Sequence, residues 1–392
     1  MPWSLARKLS NLVSSVDAKS SQTPGVRFAF KLFPELTSSG DSNLFFSPAS
    51  VMLCLLMIHD AALGETRSEM AKALEVAGIG SDEVERTIAY LRTSCGARTD
   101  VEVSVANSLW CSNHARVLPE YAARVRDAYN AEISVLDLGA PDAVSRINAW
   151  ANEKTKGRIP AIVSTLPALA RLVALNAIYF NGRWWQPFDR KWTRDGLFTT
   201  AAGLKKQVPM MSQAGTFSYY EDRSLQAVVL PYKGGVNMYV ILPVQVTDAK
   251  QFQPVLTADA WERRLARFAE GEGTVRLPRF KLDFDAQLDP ALKALGMERV
   301  FDRNLAEFEG IRSEPPPIWI DQILHRAVVE VNERGTEAAA VTSLVMVGEA
   351  MSRRQPRRFE MIVDRPFFVA IRDQLSGVIL FMGWVGDPSQ QA

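Results

Sequence analysis

ERGTEAAAVT, residues 333–342, follows directly on HRAVVEVN, residues 325–332. The second segment alternates in the manner of a strand. The first is a tract of small residues without proline, entered through Gly335. A glycine followed by Ala and Thr can swing as a hinge, since glycine tolerates unusual backbone angles. The same tract can enter a crowded sheet, because its side chains need little room on either face. In an extended conformation alternate residues share a face. Thr336, Ala338, Ala340 and Thr342 would face one way, and Glu337, Ala339 and Val341 the other. The charged Glu337 therefore falls opposite the face that could be buried. An ordinary exposed loop explains the small residues but not this parity.

The bulk properties set limits. At 392 residues with 47% hydrophobic content, the chain can bury a large core without disulfides or metals. A net charge of +1 gives no electrostatic reason to expect a nucleic-acid partner. The three cysteines, Cys54, Cys95 and Cys111, are too few and odd in number for a disulfide framework, and read as buried thiols in a reducing compartment. Residues 1–9, MPWSLARKL, lack the apolar core of a signal peptide. No apolar run reaches the length of about 18 residues needed to span a membrane, and there is no Asn-x-Ser/Thr acceptor. These features lead us to expect a cytoplasmic location and no membrane partner.

Helical patterns dominate the first third: residues 27–36, 51–59, 65–74 and 82–92, with Ser47 placed to cap the second. Residues 101–110 read as a strand and 142–155 as a helix. LVALNAIYF, residues 172–180, is an apolar run of the length of a buried central strand. Residues 225–231 and 236–242 form a hairpin around Lys233-Gly234-Gly235. Residues 275–284 read as one further strand, 288–296 as a short helix stopped by Gly296, and 325–332, 366–372 and 378–385 as strands. With no repeat and no long linker, one mixed domain is favoured over two.

The motifs of common enzymes are absent: no G-x-S-x-G, H-E-x-x-H, C-x-x-C or P-loop. Only His59, His114 and His325 are available for a histidine-based site, and they are scattered. His325 begins an apolar strand and reads as a buried, hydrogen-bonded histidine rather than a catalytic one.

Several segments, in their order and spacing, resemble the serpin family over residues 25–388. They are NLFFSPASV (43–51), ALGET (62–66), NAWANEKTKGRI (148–159), LNAIYFNG (175–182), GRW (182–184), LPRF (277–280), DRPFF (364–368) and FMGWV (381–385). The resemblance implies a single mixed α/β (α+β) serpin domain with three β-sheets, eight or nine helices and an exposed reactive loop at 335–358. Residues 1–24 form an N-terminal segment and 389–392 a tail. It implies a hinge at Glu333 and from Gly335 through Thr336, Glu337, Ala338, Ala339, Ala340 and Val341 to Thr342. It implies a polar latch beneath the main sheet, made of Ser47, Ser50, Asn176 and His325. A second cluster joins Trp184, Arg279 and Glu333 at the head of the loop, with an Arg279–Glu333 pair near the surface that contributes only ~0–1 kcal/mol.

The function implied is that of a suicide-substrate inhibitor. A serine protease, or a cysteine protease, attacks the loop as an acyl-enzyme. The cleaved loop then inserts into the main sheet and distorts the protease in a covalent 1:1 complex. The inhibitor itself is expected to be a monomer without catalytic residue, cofactor or metal. Counting fourteen residues beyond Gly335 places the reactive bond at Glu349–Ala350. The second half of the loop is long and carries Arg353, Arg354, Arg357 and Arg358, so Met346, Met351 and Arg353 stay open as scissile positions. The rival reading is a non-inhibitory serpin acting as carrier, chaperone or storage protein; the small hinge residues argue against it.

Overall fold

A computed structural model describes residues 23–37, 43–96, 98–113, 116–167, 169–312, 317–336 and 358–390. Among them are nine α-helices and fifteen strands. The helices are α1 (Pro24–Thr37), α2 (Pro48–Ala61), α3 (Gly64–Ala73), α4 (Ser81–Ser94), α5 (Pro119–Tyr129), α6 (Ala143–Lys154), α7 (Ala249–Phe252), α8 (Ala258–Leu265) and α9 (Asp289–Ala294). The strands are β1 (Asn43–Phe46), β2 (Val101–Ser112), β3 (Glu132–Leu136), β4 (Leu172–Gly182), β5 (Arg194–Thr199), β6 (Lys205–Glu221), β7 (Leu225–Pro231) and β8 (Val236–Pro243). They continue with β9 (Ala269–Pro278), β10 (Phe280–Gln287), β11 (Gln322–Asn332), β12 (Gly335–Thr336), β13 (Arg358–Ile362), β14 (Phe367–Asp373) and β15 (Ile379–Val385).

Hydrogen bonding links these strands into two sheets, where three were expected. One has nine strands, ordered β1-β15-β14-β8-β7-β6-β9-β13 with β5 on β6; the other has six, ordered β10-β11-β4-β2-β3 with β12 on β11. The merger rests on β6, whose 17 residues pair with β5 near its start, with β9 along its middle and with β7 at its end. A strand that long carries one ladder into the next.

The run at 172–180 is the central strand of the six-stranded sheet. It is apolar at every position but Asn176 because both faces are covered. Leu172, Ala174, Ile178 and Phe180 join the main core, while Val173, Leu175, Ala177 and Tyr179 join a second cluster with Ile147, Trp150 and Ala151 of α6. Helix α2 lies within the main core and is buried along almost its whole length, which explains its lack of a polar face. Ser47 caps it as expected, its side chain accepting from the Ser50 N–H at 3.2 Å.

The strand read at 275–284 is two strands in two different sheets. Pro278 closes β9, and Phe280 opens β10 opposite Val331 of β11. Proline has no N–H to continue a ladder. The Arg279 N–H turns to the Pro209 carbonyl at 2.9 Å, so Arg279 stands at the corner between the sheets.

Gly383 marks the tightest approach in the nine-stranded sheet. It pairs with Phe45 of β1 and with Val369 of β14, and a Cβ there would lie 2.2 Å from the Leu44 carbonyl oxygen. Gly383→Ala is therefore predicted to push β1 away from β15 and to lower stability by about 1–3 kcal/mol. Denaturant unfolding checks this; an unchanged midpoint would show that the strands part at no cost.

Candidate functional site

Strands β4 and β11 pair directly and in parallel, from Gln322 opposite Val173 to Val329 opposite Phe180. Above that point they separate. The opening is filled by β12: Thr336 pairs with Val331 and Gly335 with Asn332, antiparallel to β11, while Gly335 also bridges to Arg183 beyond the end of β4. The turn between β11 and β12 is closed by the Arg334 N–H, which donates to Asn332 Oδ1 at 3.1 Å. Gly335 has a φ of +137°, and a Cβ on it would sit 2.0 Å from the Gly182 carbonyl oxygen. Only glycine fits here.

Thr336 is fully buried, and its hydroxyl lies 3.0 Å from that of Tyr232. Trp184 stacks on Tyr232 with centroids 4.1 Å apart, and its indole N–H donates to the Asn332 carbonyl at 2.9 Å. Its own backbone N–H donates to the Arg334 carbonyl at 3.1 Å. Trp184, Arg279 and Glu333 thus meet at the turn between β11 and β12.

The Arg279–Glu333 pair is not the surface bridge expected. Arg279 is half exposed, but the Glu333 side chain is only 1% exposed. Arg279 Nε donates to Glu333 Oε1 at 2.8 Å, its Nη2 donates to the same oxygen, and the Thr193 hydroxyl adds a third bond at 2.6 Å. Burial by itself would raise the Glu333 carboxyl; the bonds from Arg279 and Thr193 outweigh it and hold the group below its ordinary range. Oε2 is buried without a hydrogen-bond partner among the described residues. Removing Arg279 would strand a buried carboxylate, which costs more than losing a surface pair.

Ser47, Ser50, Asn176 and His325 also come together. Asn176 and His325 are register partners on β4 and β11, and Asn107 stands opposite Asn176 on β2. Three polar residues on adjacent strands form a rung across a buried sheet. His325 Nδ1 lies 2.6 Å from Asn176 Oδ1, and Asn176 Nδ2 donates to both Ser50 Oγ and Asn107 Oδ1. Because the Ser47 N–H points at His325 Nε2, 3.3 Å away, that nitrogen accepts and Nδ1 carries the proton. The Ser47 hydroxyl donates to the Leu380 carbonyl at 2.5 Å and ties the rung to β15.

The sequence reading did not assign Asn107, Tyr232 or Thr193 to these clusters. An asparagine in the strand at 101–110 was the available signal for the first. Glu337, Ala338, Ala339, Ala340, Val341, Thr342, Glu349 and Ala350 lie outside the described residues, as do Met346, Met351, Arg353, Arg354, Arg357 and His114. Thr336 pairs in the six-stranded sheet, and the next described residue, Arg358, opens β13, which runs parallel to β9 in the nine-stranded sheet. Cys54, Cys95 and Cys111 are buried and unpaired, and burial pushes each thiol up to about 12. None is a thiolate nucleophile at neutral pH. Among the described residues no helix is long and apolar enough to cross a membrane.

Comparison with known proteins places this geometry. A family model described as Serpin (serine protease inhibitor) matches residues 25–388. An uncharacterised serpin-like protein of Thermococcus kodakarensis is 35% identical over 368 residues, which cover 92% of this chain and 84% of that protein. The leukocyte elastase inhibitor of Bos taurus is 33% identical over 380 residues, covering 92% and 98%. Among solved structures, the native state of the thermophilic serpin tengpin aligns with a TM-score of 0.84 at 25% identity, over 93% of this chain and 94% of that one. Human thyroxine-binding globulin complexed with its ligand also aligns at 0.84, over 94% and 99%; at 24% identity that likeness is one of fold alone.

The rung has a consequence for acid stability. Burial lowers His325 from an ordinary value near 6.5 to about 3, and lowers His59 to about 4. Below about pH 6.5 the unfolded chain takes up protons that the folded chain refuses. Stability is thus predicted to fall as pH drops from about 6.5 towards 3, by up to about 1.4 kcal/mol per unit for each histidine. In urea unfolding, His325→Gln should show a shallower loss across that window. Equal slopes would mean that His325 is not held neutral by the fold.

Proposed function

The chain belongs to the serpin family, a family of protease inhibitors rather than enzymes, and from that premise we propose that it traps a serine protease by inserting its cleaved reactive loop into the six-stranded sheet. The observation that carries this reading is the position of Gly335 and Thr336. They occupy the first two places of a strand that would run between β4 and β11, with Thr336 already buried on the core face. Residues 337–349 would continue that strand.

In the proposed reaction the protease nucleophile adds to the Glu349 carbonyl. The bond to the Ala350 nitrogen breaks, and Ala350 leaves as a free amine still attached to the chain through β13. The Glu349 acyl group stays on the protease. Insertion then replaces one parallel pairing, β4 with β11, by two antiparallel ones. Antiparallel ladders are somewhat more stable per residue. Each new hydrogen bond contributes about 0.5–1.5 kcal/mol, against roughly 1–2 kcal/mol to order each residue, so burial of the inserted side chains must help.

The polar rung has a role in this reading. His325 and Asn176 sit on the two strands that must part. A hydrogen-bonded pair that can break and reform is suited to a latch at that seam. Glu333, held by Arg279 and Thr193, fixes the stem from which the loop swings. The three buried thiols agree with a reducing, cytoplasmic setting.

Incubation with a panel of serine proteases is expected to yield a 1:1 adduct that survives denaturation. Ala338→Arg should turn the inhibitor into a substrate, because in this reading its side chain enters the core face on insertion, where an unpaired buried charge costs several kcal/mol. The ratio of adduct to cleaved product reports this, and clean cleavage of the unmodified protein by every protease would sink the inhibitory reading.

The C-terminal fragment released from a denatured adduct is predicted to begin at Ala350, with a target that accepts an acidic residue at the cleavage site. Mass spectrometry decides the point. A fragment beginning at Arg354 would move the bond to Arg353 and overturn the count from Gly335.

A further inference from the structure

Away from the hinge, a cleft opens where the end of α2 meets α3, α4 and α5. Its volume is about 510 Å³, within the ~300–1,000 Å³ typical of small-molecule sites. His59 lines it and is 4% exposed. His59 Nδ1 is enclosed without a hydrogen-bond partner among the described residues. A buried polar atom left unpaired by its own protein is uncommon and asks for an explanation.

The charged groups of the cleft divide into satisfied and unsatisfied ones. Arg124 is taken up by carboxylates: its Nε pairs with Asp60, and its Nη2 lies 2.5 Å from Glu85. Arg67 has no carboxylate partner among the described residues. Its Nη1 caps the end of α2, donating to the carbonyls of His59, Asp60 and Ala62 at 3.1, 3.4 and 3.4 Å. Its cation is close enough to act on His59: after burial, Arg67 is the next cause that lowers the affinity of that ring for a proton. Val76, Ile79 and Val84 supply an apolar wall in the same cleft. Arg67 is the one guanidinium of the cleft without a carboxylate directly on it among the described residues; beside the His59 ring and facing an apolar wall, it fits a ligand with one anionic end.

We infer that this cleft binds a small amphipathic carboxylate, its acid group on Arg67 beside His59 and its apolar body against Val76, Ile79 and Val84. None of the cleft's lining residues belongs to the Gly335–Thr336 hinge, and the site does not rest on the inhibitory reading.

Calorimetric titration of the full chain with octanoate, octanol and octylamine tests this. Octanoate is expected to bind with 1:1 stoichiometry, and octanol about tenfold or more weakly, since the charge-assisted bond is lost. Octylamine should not bind. Arg67→Gln should weaken octanoate about tenfold while leaving octanol unchanged. Ala71→Phe, which fills the cleft from α3, should abolish both, with melting curves showing that each variant folds. The proposal is overturned if octanoate does not bind, if the three head groups bind alike, or if either variant leaves octanoate affinity intact. Preference for octylamine would also overturn it, making Asp60 and Glu85 the recognising groups.

Discussion

Strands β4 and β11 lie side by side in parallel at the centre of a sheet whose other close neighbours, β10 with β11 and β4 with β2, are antiparallel. That central parallel seam governs what the upper half of the molecule can do. Parallel strands are somewhat less stably paired, and these two stay joined only as far as Val329 and Phe180. Beyond them the chain turns at Glu333 and Arg334 and places Gly335 and Thr336 in the gap. The seam is a place where another strand could be added, and its upper end already holds the start of one.

Two polar clusters sit on this seam and behave differently. The rung of Asn107, Asn176 and His325 crosses the sheet within one hydrogen-bonding level and draws in Ser47 and Ser50 from the start of α2. Its members satisfy one another, as buried polar groups must if they are not to destabilise the core. The cluster at Glu333 is less complete, since Oε1 takes every bond and Oε2 has none among the described residues. A satisfied rung and a one-sided carboxylate therefore mark the middle and the top of the same seam.

The packing around the turn limits its freedom. Trp184 stacks on Tyr232, and Tyr232 packs edge-on against Phe180. Thr336 touches this aromatic group through its hydroxyl. A larger or charged side chain at 336 would have to displace rings that are themselves enclosed. The cleft near His59 lies in a different part of the fold, between helices rather than strands, so its occupancy is a separate question from that of the seam.

Some of this was legible in the residues themselves. LVALNAIYF at 172–180 announces a strand covered on both faces, Ser47 before Pro48 announces a helix cap, and the alternation from Thr336 announces which face can be buried. Each depends on a local preference or a period. The sequence also named Ser47, Ser50, Asn176 and His325 as one group, through resemblance rather than through spacing. What only the tertiary structure decided is non-local. Asn107 belongs to the rung because β2 lies beside β4 in one particular register. Residues 275–284 divide between two sheets because Pro278 cannot continue a ladder and Arg279 finds Pro209 and Glu333 at the corner. Glu333 is held by the Thr193 hydroxyl on its carboxylate and by the Phe188 N–H on its carbonyl, 140 or more positions away in the chain. A residue carries its own conformational preference wherever it stands; which neighbours share its burial is settled only when distant strands pair.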